Sequence, residues 1–393
     1  MENTLRKLIK ALILVIAAVC VVVVRSDDIR ANLSKRDFAE YWAGGRLLLL
    51  HQNPYSSTAF VELLKQNGLT ISEALTPRTP PWSLPILLPL GFVNPFWGWI
   101  LWTAASVAAL IISVRLCASM FGRDPAFRFR FNLLAYLFAP VLGCLVLAQI
   151  GLLLLLGVVL FLKLEPDRPF LAGAALVLPF AKPHLLVLFW LAVFLWSLDR
   201  RKWAVLSGLA TATVFATLMV LWFDPAVFQH YRMHLATASI EGEFIPSFPG
   251  VLRLLFFRRH FWVQFVPLVL GVIWCCTHYL TRRSNWEWRR DAAIVMAISV
   301  VCAPYGWLTD DAVLLPAILQ AAVWIYAQRT PGTVGAWLPP IAFALFNGLL
   351  LLMLAFRVPL QSGLYFWSSL LWASWCLYGY SRRTASPKLG LVL

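Results

Sequence analysis

The sequence predicts an all-α membrane protein of about twelve transmembrane helices, forming one membrane domain over residues 1–393. Three observations predict it. Hydrophobic residues make up 61% of the chain and charged residues only 13%, about half the charged share of soluble domains. Mean hydropathy is +0.76. Apolar runs recur at 5–24, 95–119, 131–147, 151–162, 169–181, 184–197, 203–222, 261–280, 291–304, 312–327, 334–356 and 363–380. The net charge of +15 does not point to nucleic acid, because the basic excess sits in short loops between these runs. Basic residues there orient a chain in the bilayer.

The run at 5–24 follows a basic start with Arg6 and Lys7 and ends in Val24-Arg25. It lacks a small-x-small cleavage site, so it reads as a retained first helix rather than a signal peptide. With both termini cytoplasmic, alternation puts the clusters around Arg128, Arg168, Arg200, Arg289 and Arg382 inside, as the positive-inside rule requires. A first outer loop then spans 25–81 and contains an amphipathic helix from Asp37 to Leu50, which Asn53-Pro54-Tyr55 stops. The stretch Pro81–Val93 is apolar but short and carries Pro81, Pro85 and Pro89, so it is re-entrant or interfacial. The runs between 151 and 197 are shorter than the ~20 residues of a span, which predicts tilted, broken or re-entrant helices. A second outer loop spans 224–260. The seven cysteines lie in or beside apolar runs at no metal-ligand spacing and form no disulfide framework.

In this topology the unusual polar residues share the outer face. They are Arg36-Asp37-Phe38-Ala39-Glu40-Tyr41-Trp42, Asn53-Pro54-Tyr55, Pro80-Pro81-Trp82, Ala148-Gln149-Ile150-Gly151, Lys182-Pro183-His184, the loop from His230 to Arg259, and Pro304 to Trp307 with Asp310 and Asp311. Ionisable groups at the ends of membrane helices are costly unless used or paired. Several such stretches on one face predict a shared cavity.

The order Arg-Asp-Phe-x-x-Tyr-Trp-x-x-Gly-Arg, Asn-Pro-Tyr, Pro-Pro-Trp, Gln-Ile-Gly, Lys-Pro-His and a late Pro-Tyr…Asp resembles glycosyltransferase family 87, over about residues 30 to 320. The resemblance implies a class C glycosyltransferase fold and a polyprenyl-phosphate sugar donor, typically mannose. It implies that Asp37 is the catalytic base, and that Gln149, Lys182 and His184 line the donor side. Two stretches depart from the family pattern. Pro246-Ser247-Phe248-Pro249 stands where the family often has Asn-Gln-Ser, and Tyr305-Gly306 follow Pro304 where it often has a Pro-His-Ser turn.

A lipid-phosphate sugar brings its own leaving group. The protein must deprotonate an acceptor hydroxyl, align it with the anomeric carbon and stabilise charge on the departing phosphate. Lys182, Arg253, Arg258, Arg259 and His260 are the candidate cations, and arginine suits bidentate phosphate contact. Glu40, Tyr41, Trp42, Trp82, Trp307, Asp310 and Asp311 are further substrate-binding candidates. Each has a plainer alternative. Asp37 can cap its helix or pair with Arg36 or Arg46, Lys182 can snorkel, and Arg258 and Arg259 can anchor to headgroups. Asp310 and Asp311 can cap the following helix, and His184, His230 and His234 can be structural. Glu241 and Glu243 alone do not make a metal site.

The expected activity is therefore an inverting glycosyl transfer from a polyprenyl-phosphate sugar to a glycan, glycolipid or other acceptor at the outer face of a bacterial-type inner membrane. No cofactor or metal is expected, and no Gly-rich nucleotide loop is present. A multi-pass transporter or lipid flippase is the rival. Such proteins place polar groups near mid-membrane on repeat-related broken helices, and no repeat is evident here.

Overall fold

The computed structural model describes residues 37–69, 78–122, 124–237, 244–328 and 338–384. The expected first helix at 5–24, Arg36 and the Glu241-x-Glu243 pair lie outside the described residues. The described residues are helical, with no strand.

Helix α1 (Phe38–Leu49) matches the expected helix to within a residue at each end, but it is no surface amphipath. Nine of its residues are buried, around most of its circumference. The cause is backbone contact: a Cβ on Gly45 would sit 2.2 Å from the Leu87 carbonyl oxygen, and one on Gly91 would meet the Gly45 carbonyl. Helix α2 (Ser57–Gln66) is the amphipathic one. The Ser56 hydroxyl caps it by accepting from the Ala59 amide at 3.3 Å, and Phe60, Leu63 and Leu64 face inward. A 3-10 turn (Pro81–Ile86) and the short α3 (Leu88–Gly91) then fold against α1. The proline-rich stretch thus supports α1 and makes no span of its own.

Helix α4 (Pro95–Phe121) is long, about 40 Å at 1.5 Å per residue. Helices α5 (Pro125–Tyr136) and α6 (Ala139–Leu147) form a pair bent by 41°. The backbone groups freed at that bend are satisfied by a distant side chain. Buried Asn347 accepts from the Ala139 amide and donates to the Leu137 carbonyl, both at 2.8 Å. Backbone at membrane depth needs such partners. Helix α7 (Gly151–Leu164) leads to α8 (Pro169–Ala175), two 3-10 turns (Pro179–Ala181, Pro183–Leu186) and α9 (Val187–Asp199). The chain bends by 116° between Ala181 and Pro183, which puts the break at Lys182.

Helix α10 (Trp203–Phe223) crosses α8 at two glycines. A Cβ on Gly173 would lie 1.9 Å from the Val205 carbonyl oxygen, and one on Gly208 would lie 2.0 Å from that of Phe170. Close backbone packing through small residues is how membrane helices associate when lipid is as apolar as their side chains. The expected second loop is partly helical, with α11 (Val227–Thr237) and α12 (Phe248–Phe256). Next come α13 (Val266–Arg282), α14 (Trp288–Cys302), a 3-10 turn (Leu308–Leu314) running into α15 (Leu315–Ala327), α16 (Leu338–Ala355) and α17 (Ser368–Thr384).

Five of these segments are long and apolar enough to cross a membrane, or seven when each bent pair counts once. That is fewer than the twelve runs of the sequence reading. One run lies outside the described residues, and α7, α14 and α17 are too short or too charged to qualify. The segment Leu308–Ala327 is 94% buried and forms the centre, whereas only 17% of the α10 window is buried. Outward-facing Phe215, Leu218 and Trp222 of α10 make a surface that hydrocarbon suits and water does not.

The α8–α10 crossing is the most demanding contact. Gly173→Ala should lower the thermal unfolding midpoint of the detergent-solubilised protein, with a stability loss of roughly 1–3 kcal/mol from overpacking. Gly348→Ala, where the new methyl group meets nothing within 4 Å, should leave the midpoint unchanged or slightly raised.

Candidate functional site

Four breaks in helical structure meet at one end of the bundle and carry the polar groups. The first is the start of α1. Asp37 occupies the N-cap position but makes no capping bond through its side chain, and Arg46 donates to the Gly91 carbonyl at 3.0 Å instead. The carboxylate oxygen Oδ2 of Asp37 accepts from the Gln149 side-chain amide. The plainer roles open to Asp37, helix cap or partner of Arg46, are therefore not the ones it takes.

The second break is the turn between α6 and α7. Ala148 adopts the left-handed conformation at φ 57°, and the Gln149 amide donates back to the Cys144 carbonyl at 2.9 Å to close α6. An alanine there costs roughly 1 kcal/mol, offset in part by the Trp102 indole, which donates to the Ala148 carbonyl at 2.8 Å. Gly151 completes the turn, since a Cβ there would lie 2.7 Å from the Cys144 sulfur and 2.9 Å from the Thr309 carbonyl oxygen. This geometry aims Gln149 at Asp37. The Tyr41 hydroxyl lies 3.5 Å from the other end of the Gln149 amide, and its ring leans on Trp102 at 5.1 Å.

The third break is the α8–α9 hairpin. The Trp82 indole donates to the Phe180 carbonyl at 3.0 Å and its ring stacks on Phe180. Behind the hairpin, the Ser299 hydroxyl donates to the Leu185 carbonyl and accepts from the Leu188 amide, each at 3.1 Å. Lys182 is thereby presented to the fourth break, the turn before α15. Its ammonium donates to Asp310 Oδ1 at 2.8 Å, and Asp310 Oδ2 accepts from the Trp307 amide at 3.1 Å. Asp310 is therefore both a helix-start group and the partner of Lys182.

Asp37, Glu40, Lys182 and His184 each keep some accessible surface although protein surrounds them closely, so they line a recess rather than an outer surface. Burial pushes the Asp37 carboxyl above its ordinary value, and Asp310 adds to the rise. Lys182 and the Gln149 bond oppose it. Burial also drives the Glu40 carboxyl well up, reinforced by Asp37 and opposed by Lys182 and Arg78. Arg78, which the sequence does not single out, donates to Glu40 through its backbone amide. Its only signal was its place just before Thr79-Pro80-Pro81-Trp82.

Other expected residues fall outside this cluster. Trp42 is buried and its indole donates to the Val93 carbonyl at 2.8 Å, which anchors α1. Asp311 turns away from Lys182 to accept from the Ser368 hydroxyl at 2.8 Å, fastening α17. Successive residues in a 3-10 turn point about 120° apart, so one acid faces Lys182 and the next faces the core. Arg258, Arg259 and His260 are exposed in the turn after α12, with the His260 ring beside Trp262 at 6.5 Å. Arg253 is buried over the Phe261 ring at 5.2 Å, within electrostatic reach of Tyr305, whose ring meets His184 at 5.9 Å. Trp307 remains half-buried beside the recess. His230 pairs with Asp224 at 2.7 Å, and His234 stacks on Tyr55. Tyr55 in turn donates to the Thr79 carbonyl at 3.0 Å, so the Asn-Pro-Tyr turn is structural. Among the described residues no His, Cys, Asp or Glu group has metal-binding geometry.

No curated protein and no solved structure matches the chain. The profile of glycosyltransferase family 87 matches residues 79–304, more than half of the sequence. The match includes Gln149, Lys182 and His184, while Asp37, Glu40 and Asp310 lie outside it. The chain, a helical protein with several membrane-type helices and a recess of opposed charges, belongs to glycosyltransferase family 87.

Proposed function

We propose that this glycosyltransferase is an inverting enzyme of the class C fold with about twelve spans. It would move a hexose, mannose first among the candidates, from a polyprenyl-phosphate carrier to an acceptor at the outer membrane face. The observation that carries the reading is the Asp37 carboxylate, held by Gln149 in one recess with the Lys182–Asp310 pair. Asp37 takes the acceptor hydroxyl proton as the acceptor oxygen bonds to the anomeric carbon. The bond from that carbon to the phosphate oxygen breaks on the opposite face, and its electrons leave with the lipid phosphate. Gln149 fixes the carboxylate so that little reorganisation is needed at the moment of transfer. Lys182 supplies positive charge beside the line of transfer. The recess also keeps water away from the anomeric carbon, which limits loss of the sugar by hydrolysis.

A base must be ionised to work, so the raised Asp37 value places the acid limb of the rate profile above the ordinary aspartate range. The neighbours set opposite signs. Lys182→Met removes a group that lowers the Asp37 value, so the acid limb of kcat/KM should move to higher pH. Asp310→Asn removes one that raises it, so the limb should move to lower pH. If both limbs stay where the wild type has them, the titrating base is a different group.

The activity itself is tested with purified protein and labelled polyprenyl-phosphate-mannose. Asp37→Asn should cut release of label from the lipid by roughly 100-fold or more with an unchanged thermal midpoint. Undiminished turnover in a folded Asp37→Asn protein would exclude this base. Labelled polyprenyl-phosphate-arabinofuranose in parallel decides the sugar.

A further inference from the structure

The end of the bundle away from the recess carries a second organised group of side chains. Its position follows from three helices. Helix α14 ends at Cys302 beside the turn that holds Asp310 and begins at Trp288, about 20 Å away at 1.5 Å per residue. Helix α13 follows the Phe265 ring, which touches Tyr305 near the recess, and ends at Arg282. Helix α17 starts at Ser368, fastened to Asp311, and ends with Arg382 and Arg383. The far ends of all three helices are therefore basic.

These cations are ordered by aromatic rings. Arg282 lies over the Tyr380 ring at 5.2 Å, and Arg383 over the Trp324 ring at 5.7 Å. Arg290 is used internally. It binds both carboxylate oxygens of fully buried Asp291, and the Tyr380 hydroxyl donates to the same carboxylate at 3.3 Å. Arg290 and Arg383 lie within electrostatic reach of each other, and no carboxylate among the described residues is within ion-pair distance of Arg282 or Arg383. A guanidinium over an aromatic ring keeps N–H donors free for other partners, and its donor fork matches two phosphate oxygens. A small cavity of about 10 Å³, lined by Trp324, Ala327, Gln328 and Arg383, adjoins the Arg383 guanidinium.

We propose that Arg282 and Arg383, backed by Tyr380 and Trp324, form a seat for the phosphodiester headgroup of an anionic membrane phospholipid. Loop arginines that only orient a chain need no fixed geometry. Here two guanidiniums from helices a hundred residues apart in sequence lie over rings that join one buried Asp291–Tyr380 hub. Among the described residues no carboxylate pairs directly with either guanidinium, Glu287 and Asp291 acting on Arg383 only at longer range, and a lipid phosphate at headgroup depth supplies a direct partner. Occupancy would clamp α13 to α17 at the end opposite the recess.

The test uses the full chain in a neutral detergent with dioleoyl phosphatidylglycerol or dioleoyl phosphatidylcholine added. The wild type should retain phosphatidylglycerol in native mass spectrometry and unfold at a higher temperature with it than with phosphatidylcholine. Arg282→Gln with Arg383→Gln should weaken that retention by about tenfold or more and remove the thermal preference, while its midpoint without added lipid stays near the wild-type value. Equal stabilisation of the wild type by both lipids would overturn the proposal and needs no variant. Equal stabilisation by inorganic phosphate at the same concentration would overturn the lipid assignment. Undiminished retention in the double variant would overturn the site.

Discussion

The Lys182–Asp310 ion pair is the contact on which the rest of the recess depends. Both groups sit at breaks between apolar helices, where an unpaired charge is expensive, and removing one partner of such a pair costs about 3–5 kcal/mol. The pair therefore fixes the α8–α9 hairpin against the turn before α15. Once that distance is set, Lys182 acts electrostatically on Asp37 and Glu40, and Asp310 acts on Asp37 with the opposite sign. The recess is a balance of charges built on backbone interruptions, and the interruptions are what bring the charges together.

Several interruptions are satisfied by polar side chains from distant parts of the chain. Asn347 closes the α5–α6 bend, Ser299 the α8–α9 hairpin, Trp102 the Ala148 turn and Trp82 the carbonyl of Phe180. Non-helical backbone persists in an apolar surround only when its amides and carbonyls find such partners. Glycines do the complementary work of letting backbones touch, at Gly45 and Gly91 beneath α1 and at Gly173 and Gly208 where α8 crosses α10. Several residues of the sequence motifs therefore hold the frame. Trp42, Arg46, Tyr55, Trp82 and Gly151 position elements, and Asp37, Gln149 and Lys182 are what they position.

Much of the site could be read from the order of residues. Asp37, Gln149, Lys182 and Asp310 stand out because polar groups in an apolar chain are few and each marks a place where a helix starts or breaks. The α1 boundaries and the interrupted run around 182 were legible for the same reason, since proline and glycine act locally. What misled was surface expectation. Helix α1 looks amphipathic, yet the Gly45–Gly91 contact buries it nearly all round. Trp42 looks like a sugar platform, yet its indole is committed to Val93. Arg258 and Arg259 lie exposed in the turn after α12, apart from the Asp37 and Lys182 cluster.

The sequence by itself determined the apolar helical class, the basic clusters between apolar runs and the motif set that places the chain in its family, because composition and local punctuation act over a few residues. Tertiary structure alone decided which polar groups meet. Adjacent Asp310 and Asp311 differ only in direction, one toward Lys182 and one toward Ser368, and that direction depends on α9 and α17 arriving from far along the chain. Likewise Arg282 and Arg383 became neighbours of one hub only when α13, α14 and α17 packed. Packing over long sequence separations sets such meetings, and no local pattern encodes them.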